Sequence, residues 1–194
     1  MRGGIRIVGG AWRGRRLRVP SGLDIRPTSE FLREALFDIL SARVQGAEVL
    51  DLYAGTGALA LEALSRGAAA ATLVEVNPAY LRTARSNAAA LACQDRCRFL
   101  RMEGVAAVAL LGRQGRRFDL ILADPPYASD LAEATARAVG RHGLLLPGGL
   151  LVLEVSSKAA LPERLPPLAR ARVRRHGDST LLLYAAEPVG TRSA

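Results

Sequence analysis

Metal-binding side chains are scarce in this chain. Its 194 residues include two cysteines, Cys93 and Cys97, and two histidines, His142 and His176. The i,i+4 spacing of the cysteines could place both on one helix face, but Cys97 is predicted to begin a strand. We therefore expect no metal site, and we expect free thiols in a reducing compartment.

Long apolar runs are also missing. No segment is long enough for a transmembrane span, and no apolar core region of a signal peptide follows the basic residues 1–6. We therefore expect a cytoplasmic protein without a membrane partner. With 49% hydrophobic residues, 194 positions suffice for one sizeable core and are too few for two ordinary domains.

Acidic residues are absent from the first twenty positions, although the chain as a whole has 18 of them and a formal net charge of +9. Lysine is nearly absent, with Lys158 alone. The same twenty positions contain Arg2, Arg6, Arg13, Arg15, Arg16 and Arg18. A GC-rich genome also produces an arginine excess, but it does not explain this uneven distribution.

The N-terminal arginines alternate with apolar and β-forming residues, including Ile5, Ile7, Trp12 and Leu17. A solvated basic tail would lack this interleaving. The pattern therefore predicts a structured hairpin with a basic face, on which phosphates could dock. We expect RNA contacts from Arg2, Arg6, Trp12, Arg13, Arg15, Arg16 and Arg18.

From residue 48 onward, apolar segments of strand length alternate with amphipathic segments of helix length. Strands are predicted at 48–54, 71–76, 97–102, 118–123 and 149–156, and helices near 58–66, 79–91, 105–112 and 129–142. Such alternation predicts right-handed crossovers and a parallel sheet. Residues 171–175 and 180–185 are expected to form a closing hairpin, and Pro147-Gly148-Gly149 is expected to turn into the fifth strand.

The segment before this alternation is predicted to form two short strands, at 5–8 and 14–19, followed by a helix capped by Thr28. In that helix, an apolar stripe that includes Phe31 and Leu36 should face the core, and Arg33 should face away from it.

Asp124-Pro125-Pro126-Tyr127 directly follows the predicted buried strand 118–123. In an open α/β sheet, ligands bind at this end of the strands. Proline fixes the backbone and has no N–H, so the Asp124 carboxylate and the Pro125 carbonyl can form a rigid pair of acceptors for a planar amino group. Tyr127 offers a flat face on which a base can stack.

A second motif follows the strand at 48–54. Gly55-Thr56-Gly57 opens a predicted helix and fits a dinucleotide fingerprint, and Glu75 ends the next strand, where an acid can bind both hydroxyls of a ribose. This spacing serves both NAD and S-adenosylmethionine. Asp51 favours the second ligand, because an acid just before the glycines provides counter-charge for a cationic amino acid.

In this order, Asp51 to Gly57, Glu75 and Asp124 to Tyr127 resemble the cofactor and catalytic motifs of class I S-adenosylmethionine-dependent amino-methyltransferases. The N-terminal part is similar to a more specific family, the bacterial small-subunit ribosomal RNA methyltransferases that modify the exocyclic N2 of one guanine in 16S RNA. The segments that carry this likeness are Ile7-Val8-Gly9-Gly10, Trp12-Arg13-Gly14-Arg15, Arg26-Pro27-Thr28 and Arg33-Glu34-Ala35-Leu36-Phe37.

The resemblance implies an α/β fold of the Rossmann-like, doubly wound class I methyltransferase type, mostly parallel with an antiparallel last strand. We expect a basic β-hairpin extension at 1–27, a methyltransferase domain at 28–188 and a disordered tail at 189–194. The resemblance also implies a monomer that acts on 16S ribosomal RNA within a small-subunit particle.

The implied catalytic residues are Asp124, Pro125 and Tyr127. S-adenosylmethionine is expected to be bound by Arg26, Thr28, Asp51, Tyr53, Ala54, Gly55, Thr56, Gly57, Glu75, Val76, Gly104 and Val105. This chain departs from the family's usual pattern at one position. A polar residue usually contacts the adenine amino group where this chain has Val105. Adenine recognition is left to backbone groups, to packing, or to Glu103, which would share a face with Val105 in an extended strand.

Alternative functions also fit parts of the pattern. An adenine-N6 or cytosine-N4 methyltransferase of DNA could use the same acid-Pro-Pro-aromatic motif, but such enzymes usually add a target-recognition segment. A protein-glutamine methyltransferase would more often have asparagine at Asp124. A dinucleotide-dependent oxidoreductase would need a hydride-transfer site, and an inactive RNA-binding relative would not need Asp124 and Glu75.

Overall fold

A computed structural model describes residues 5–20, 30–126 and 130–187. Several predicted features lie outside these ranges. They are Arg2, Arg26, Thr28 with its proposed helix cap, Tyr127 and the tail at 189–194.

Within the described residues, one sheet of eight strands has the order β3-β2-β1-β4-β5-β8-β7-β6. The strands are β1 Glu48–Asp51, β2 Ala70–Val74, β3 Cys97–Leu100, β4 Phe118–Ala123, β5 Leu145–Ser156, β6 Arg164–Leu165, β7 Leu168–His176 and β8 Ser179–Ala186. Strands β1 to β5 pair in parallel, whereas β8, β7 and β6 are added in antiparallel pairs. The predicted parallel sheet and its closing hairpin are therefore confirmed.

Five α-helices connect or precede these strands in the described part of the chain. They are α1 Glu30–Leu40, α2 Ala58–Ser65, α3 Pro78–Ala90, α4 Gly104–Arg113 and α5 Leu131–Arg141. None of the helices described here is both long and apolar enough to cross a membrane. Cys93 and Cys97 are not joined by a disulfide.

Alternate residues of the central strands face two separate cores. In β4, Leu120 and Leu122 join a core that contains residues of α1, α2 and α3, whereas Ile121 and Ala123 join a core that contains residues of α4 and α5. This alternation is the two-residue period of a strand that is buried on both faces. Because β1 pairs in parallel with β2 and with β4, the loops at the carboxyl ends of these three strands lie at the same end of the sheet.

Strand β5 begins at Leu145, four residues earlier than predicted. Pro147-Gly148-Gly149 lies inside the strand, where the pairing with β4 shifts register between Phe118 and Leu120. Gly148 has a φ of +76°, and a Cβ on Gly149 would come within 3.0 Å of the Asp119 carbonyl oxygen. The glycines therefore allow an irregularity within the strand rather than a turn before it.

The prediction for α1 was wrong at Arg33 and at Phe31. Arg33 is buried, and its Nη2 donates a hydrogen bond to the carbonyl oxygen of Arg6 at 2.6 Å. Burial lowers the pKa of this guanidinium, against the opposing effects of Glu62 and Glu30. Phe31 is 56% exposed. Helical period alone could not identify a backbone acceptor that lies 27 positions away.

The N-terminal segment forms a hairpin-like turn, as predicted, but its paired part is a single antiparallel bridge between Arg6 and Arg16. Backbone hydrogen bonds from Ile7 N to the Arg15 oxygen and from Leu17 N to the Ile5 oxygen hold the two arms together. A 3-10 turn at Gly10–Trp12 connects them. A Cβ on Gly10 would overlap the Ser65 carbonyl of α2, so this turn packs directly on α2.

Candidate active site

The loop that follows β1 brings three backbone segments together. Leu52 N donates to the Leu122 oxygen of β4 at 2.9 Å, and Ala54 N donates to the Val74 oxygen of β2 at 2.9 Å. Gly57 caps α2 with a φ of +87°, and a Cβ there would lie 3.2 Å from a Leu73 side-chain atom. The loop therefore requires glycine at this position, and the amino end of α2 faces the carboxyl edge of the sheet.

Asp51 is buried at the end of β1. Its Oδ2 accepts a hydrogen bond from Ala60 N at 3.2 Å, whereas its Oδ1 has no hydrogen-bond partner within the described residues. Burial raises the pKa of Asp51 to about 7, with a smaller increase from Glu75, against the lowering effect of the Ala60 and Tyr53 N–H groups. A buried acceptor without a partner costs stability, and a cationic ligand would satisfy it.

Glu75 directly follows β2 and joins two loops through its carboxylate. Oε2 accepts from Gly55 N at 2.9 Å, and Oε1 accepts from Asn77 N at 2.7 Å. Each oxygen has a second lone pair, so the carboxylate can still accept ribose hydroxyls. The next residue, Val76, is 49% exposed, so its side chain is available to a planar group lying over the loop.

Tyr53, which precedes the glycines of the loop, also contacts α5 and α4. Its hydroxyl forms a hydrogen bond with Thr135 Oγ1 of α5 at 2.8 Å. A Cβ on Gly104 would lie 2.8 Å from the Tyr53 ring, so the amino end of α4 packs directly on the tyrosine. The small residue at 104 is therefore explained by this contact.

The expected strand alternation between Glu103 and Val105 is wrong, because β3 ends at Leu100 and α4 begins at Gly104. Glu103 is the N-cap residue, with φ −66° and ψ 143°, and the Val105 side chain packs against the second core. The first turn of a helix leaves backbone N–H groups without intrahelical acceptors. The amino end of α4 therefore presents backbone N–H groups next to the exposed Glu103, and the contact of Val105 with the cofactor stays a prediction.

Asp124 and Pro125 follow β4 directly, next to the end of β1. Asp51 pairs with Leu122 across the two strands, so the two acids lie at the same edge of the sheet. Asp124 is half-buried and Pro125 is buried. The register therefore brings the Asp51 and Asp124 segments together.

A cavity of about 410 Å³ begins at Pro125 and Pro126. It extends past the first turn of α5 to the end of β5, and Glu154 and Ser156 line it. A volume of this order accommodates a small planar ligand. No three His, Cys, Asp or Glu side chains in the described ranges are grouped so that they could hold a metal ion.

Glu154 was not identified from the sequence. It is buried, and Ser179 Oγ donates a hydrogen bond to its Oε1 at 3.0 Å. A single acid within the apolar run of β5 was the available signal, of the same kind as Asp51 in β1. The sequence could not show that this acid borders a cavity, because its neighbours come from other elements.

The predicted RNA-binding residues differ in how far they are already engaged. Arg6 forms an ion pair with Glu30 at 2.8 Å, and Trp12 is partly buried beneath the guanidinium of Arg96. Arg13 and Arg16 are exposed.

Two further arginines of the hairpin hold it against α3. Arg15 donates to the Ala90 oxygen at 2.9 Å, and Arg18 donates to Ser86 Oγ at 3.3 Å. Both side chains are nevertheless exposed and retain donors.

Comparisons with known proteins agree with this architecture. The sequence model of a family described as conserved hypothetical protein 95 matches residues 5–185. The chain is 35% identical over 192 residues to the ribosomal RNA small subunit methyltransferase D of Escherichia coli strain K12, covering 99% of this chain and 95% of that protein.

Two solved structures are similar over nearly the whole chain. A putative methyltransferase, yhhF, from Escherichia coli has a TM-score of 0.82 and 34% identity, covering 95% of this chain and 99% of that one. A hypothetical protein of Thermus thermophilus has a TM-score of 0.79, 34% identity and the same coverage. These matches confirm the predicted class I methyltransferase fold. The chain therefore belongs to the ribosomal RNA small subunit methyltransferase D family, a family of S-adenosylmethionine-dependent methyltransferases.

Proposed function

We propose that this protein transfers a methyl group from S-adenosylmethionine to the exocyclic N2 of a guanine in small-subunit ribosomal RNA. Its relationship to a ribosomal RNA small subunit methyltransferase supports small-subunit ribosomal RNA as the substrate. The observation that carries the proposal is the cavity of about 410 Å³ beginning at Pro125 and Pro126. It lies next to an acid and a proline carbonyl that are suited to hold an amino group.

The residues at the end of β1 fit the cofactor. Asp51 Oδ1 is buried without a hydrogen-bond partner in the described chain, which suits the cationic amino group of an amino acid. Gly55 and Gly57 allow the backbone to approach the ligand, and Glu75 retains acceptor capacity for ribose hydroxyls. When bound, S-adenosylmethionine supplies an electrophilic methyl group.

Asp124 and Pro125 act on the amine that receives the methyl group. The lone pair of an aryl amine is delocalised into the ring, so the free amine is a poor nucleophile. Two acceptors for its N–H groups favour a tetrahedral nitrogen and stabilise the positive charge that develops on it. Tyr127 is proposed to stack on the extruded base. These steps need no covalent intermediate.

The substrate is proposed to be a protein-bearing small-subunit particle rather than naked RNA. Arg13, Arg15 and Arg16 would contact phosphates while the cavity selects the base. A guanine in a loop would be favoured, because an unpaired base costs less to extrude. We further propose that the protein acts as a cytoplasmic monomer.

The test is to incubate the protein with labelled S-adenosylmethionine and small-subunit particles from cells that lack the activity, and then to map the labelled nucleotide. The same particles after removal of their proteins provide the naked-RNA control. Label on guanine N2, with more on particles than on naked RNA, is the expected result. Label on adenine N6 or cytosine N4, or preferential methylation of duplex DNA, would contradict the proposal.

A further inference from the structure

Strand β7 carries arginines that the proposed site does not use. It contains Arg170, Arg172, Arg174 and Arg175 and no acidic residue. Arg170 is engaged, because its Nη2 lies 2.6 Å from Glu163 Oε1. By contrast, Arg172, Arg174 and Arg175 are exposed and have no ion pair or hydrogen-bonding side-chain partner among the residues that the structure describes.

The register assigns these arginines to different faces of the sheet. Arg172 pairs with Leu183 and Arg174 pairs with Leu181, and both leucines belong to the core that contains residues of α1. Because paired residues share a face, Arg172 and Arg174 lie on the α1 side. Arg175 lies on the opposite side.

An exposed aromatic ring lies at the same end of β7. Phe31 of α1 stacks on His176, with 4.4 Å between ring centroids and 26° between the planes. Phe31 is 56% exposed, so part of its ring is available to another flat group. Arginines next to an exposed aromatic ring are the combination that binds single-stranded nucleic acid.

This end of β7 also lies close to the proposed base cavity. Ser156 of β5 lines the cavity and pairs with Ser179, which in turn pairs with His176. Two strand spacings of about 4.8 Å separate His176 from Ser156 across the sheet, roughly 10 Å in all. The Asp178 oxygen also accepts from Ser157 N at 2.8 Å, which ties the β7–β8 turn to the end of β5.

We propose that Arg172, Arg174 and Phe31 form a second RNA-contact surface, separate from the N-terminal hairpin, that holds the nucleotides flanking the extruded base. The two guanidinium groups contact phosphates, and the ring of Phe31 stacks on a neighbouring base. This inference rests on the proposed function, because it takes ribosomal RNA as the substrate. The uniform positive charge of the strand matches a phosphate backbone.

Edge protection is the competing explanation. Charged side chains on an edge strand prevent pairing with another chain, and β6 covers only the first residues of β7. Protection of this kind works with charge of either sign, whereas RNA binding requires positive charge. Charge reversal therefore separates the two roles.

The experiment measures the binding of small-subunit ribosomal RNA at several salt concentrations for four proteins. They are the wild type, R172Q/R174Q, R172E/R174E and the control R113Q/R141Q. The control removes two exposed arginines at the carboxyl ends of α4 and α5, where the parallel strands begin, away from the end of the sheet that holds the proposed site. We expect R172Q/R174Q to bind about tenfold more weakly and to lose roughly 1.5 units of salt slope. R172E/R174E should bind more weakly still while staying monomeric, and the control should match the wild type.

F31L tests the ring separately, because leucine keeps an apolar side chain but has no flat face. It should lower RNA affinity roughly tenfold without changing the salt slope. Wild-type affinity for F31L, or equal affinities for R172Q/R174Q and R113Q/R141Q, would overturn the inference. A wild type that binds and methylates no ribosomal RNA would instead overturn the proposed function.

Discussion

The carboxylate of Glu62 on α2 accepts a hydrogen bond from the backbone N–H of Val8 at 2.8 Å. The other oxygen of Glu62 accepts from Arg66 Nε at 2.7 Å, and the Arg66 guanidinium lies over the ring of Phe37 in α1. Glu62 is completely buried. One carboxylate therefore joins the N-terminal hairpin to the helix that follows the glycine loop.

Replacing Glu62 with alanine should destabilise the fold by about 2–3 kcal/mol, because it leaves the Val8 N–H and the Arg66 guanidinium without their acceptor. Urea unfolding measures the change. Asp38→Ala is the matched control, since Asp38 is exposed and lies 3.8 Å from the same arginine. The control should cost less than about 0.5 kcal/mol. Equal losses for the two variants would show that burial of Glu62 is not the cause.

Asp51 should make stability and cofactor binding depend on pH in opposite directions. Its folded-state pKa is raised to about 7 from 3.8, so the folded protein holds a proton that the unfolded chain releases between these values. The free energy of unfolding should therefore fall by about 1 kcal/mol per pH unit across this window, relative to Asp51→Asn, and level off above it. Urea unfolding at pH 5, 6, 7 and 8 measures this difference.

S-adenosylmethionine affinity should rise with pH through about 7 in the wild type, because the charged Asp51 attracts the amino group of the cofactor. The Asp51→Asn protein should show no such rise. Parallel pH profiles for the two proteins, by unfolding or by calorimetry, would contradict the assignment.

Glu75→Ala should weaken S-adenosylmethionine binding at least about tenfold, because bonds to a charged group contribute roughly 1.5–3 kcal/mol. Calorimetry measures the affinity. The Asn77→Ala control removes the acceptor of the Ala79 N–H at the start of α3. It should cost about 1 kcal/mol of stability without a comparable loss of affinity. Similar affinities for the two variants would indicate that Glu75 only shapes the loop.

Asp124→Ala should reduce turnover about 10²–10³-fold and leave cofactor affinity nearly unchanged, because the proposed contact is made to the substrate amine. Turnover is measured at saturating cofactor and RNA. Asp130→Ala removes a carboxylate that lines the adjoining cavity and should have only a small effect. Near wild-type turnover for Asp124→Ala would remove this residue from the mechanism.

Replacing Arg13, Arg15 and Arg16 with alanine should weaken RNA binding and reduce the salt slope by roughly one unit per lost phosphate contact. Cofactor binding should not change, since the hairpin lies outside the glycine loop. If these arginines only position the backbone, the loss should be similar for many RNAs. An unchanged slope would mean that this basic face is only solvated.

Much of the fold was predictable from local pattern. The strands and helices from Glu48 onward follow apolar periodicity, which depends on neighbouring residues only. β4 lies at 118–123 as predicted, and the other elements differ mainly at their ends, where capping and pairing with distant strands decide. Proline and glycine usually interrupt strands, so local pattern predicts a turn at Pro147 to Gly149, yet the irregular pairing of β4 with β5 accommodates these residues.

The sequence by itself determined the order of the elements, the acids at the ends of β1, β2 and β4, and the concentration of arginine in the first twenty residues. Those features are local in the chain, so residue type and spacing suffice to find them. Tertiary structure decided which polar groups have partners. Arg33 is buried against the Arg6 carbonyl, Tyr53 reaches Thr135, and Glu154 borders a cavity. Each of these relations joins atoms that are distant in sequence, and only the packing of helices on the sheet brings them together.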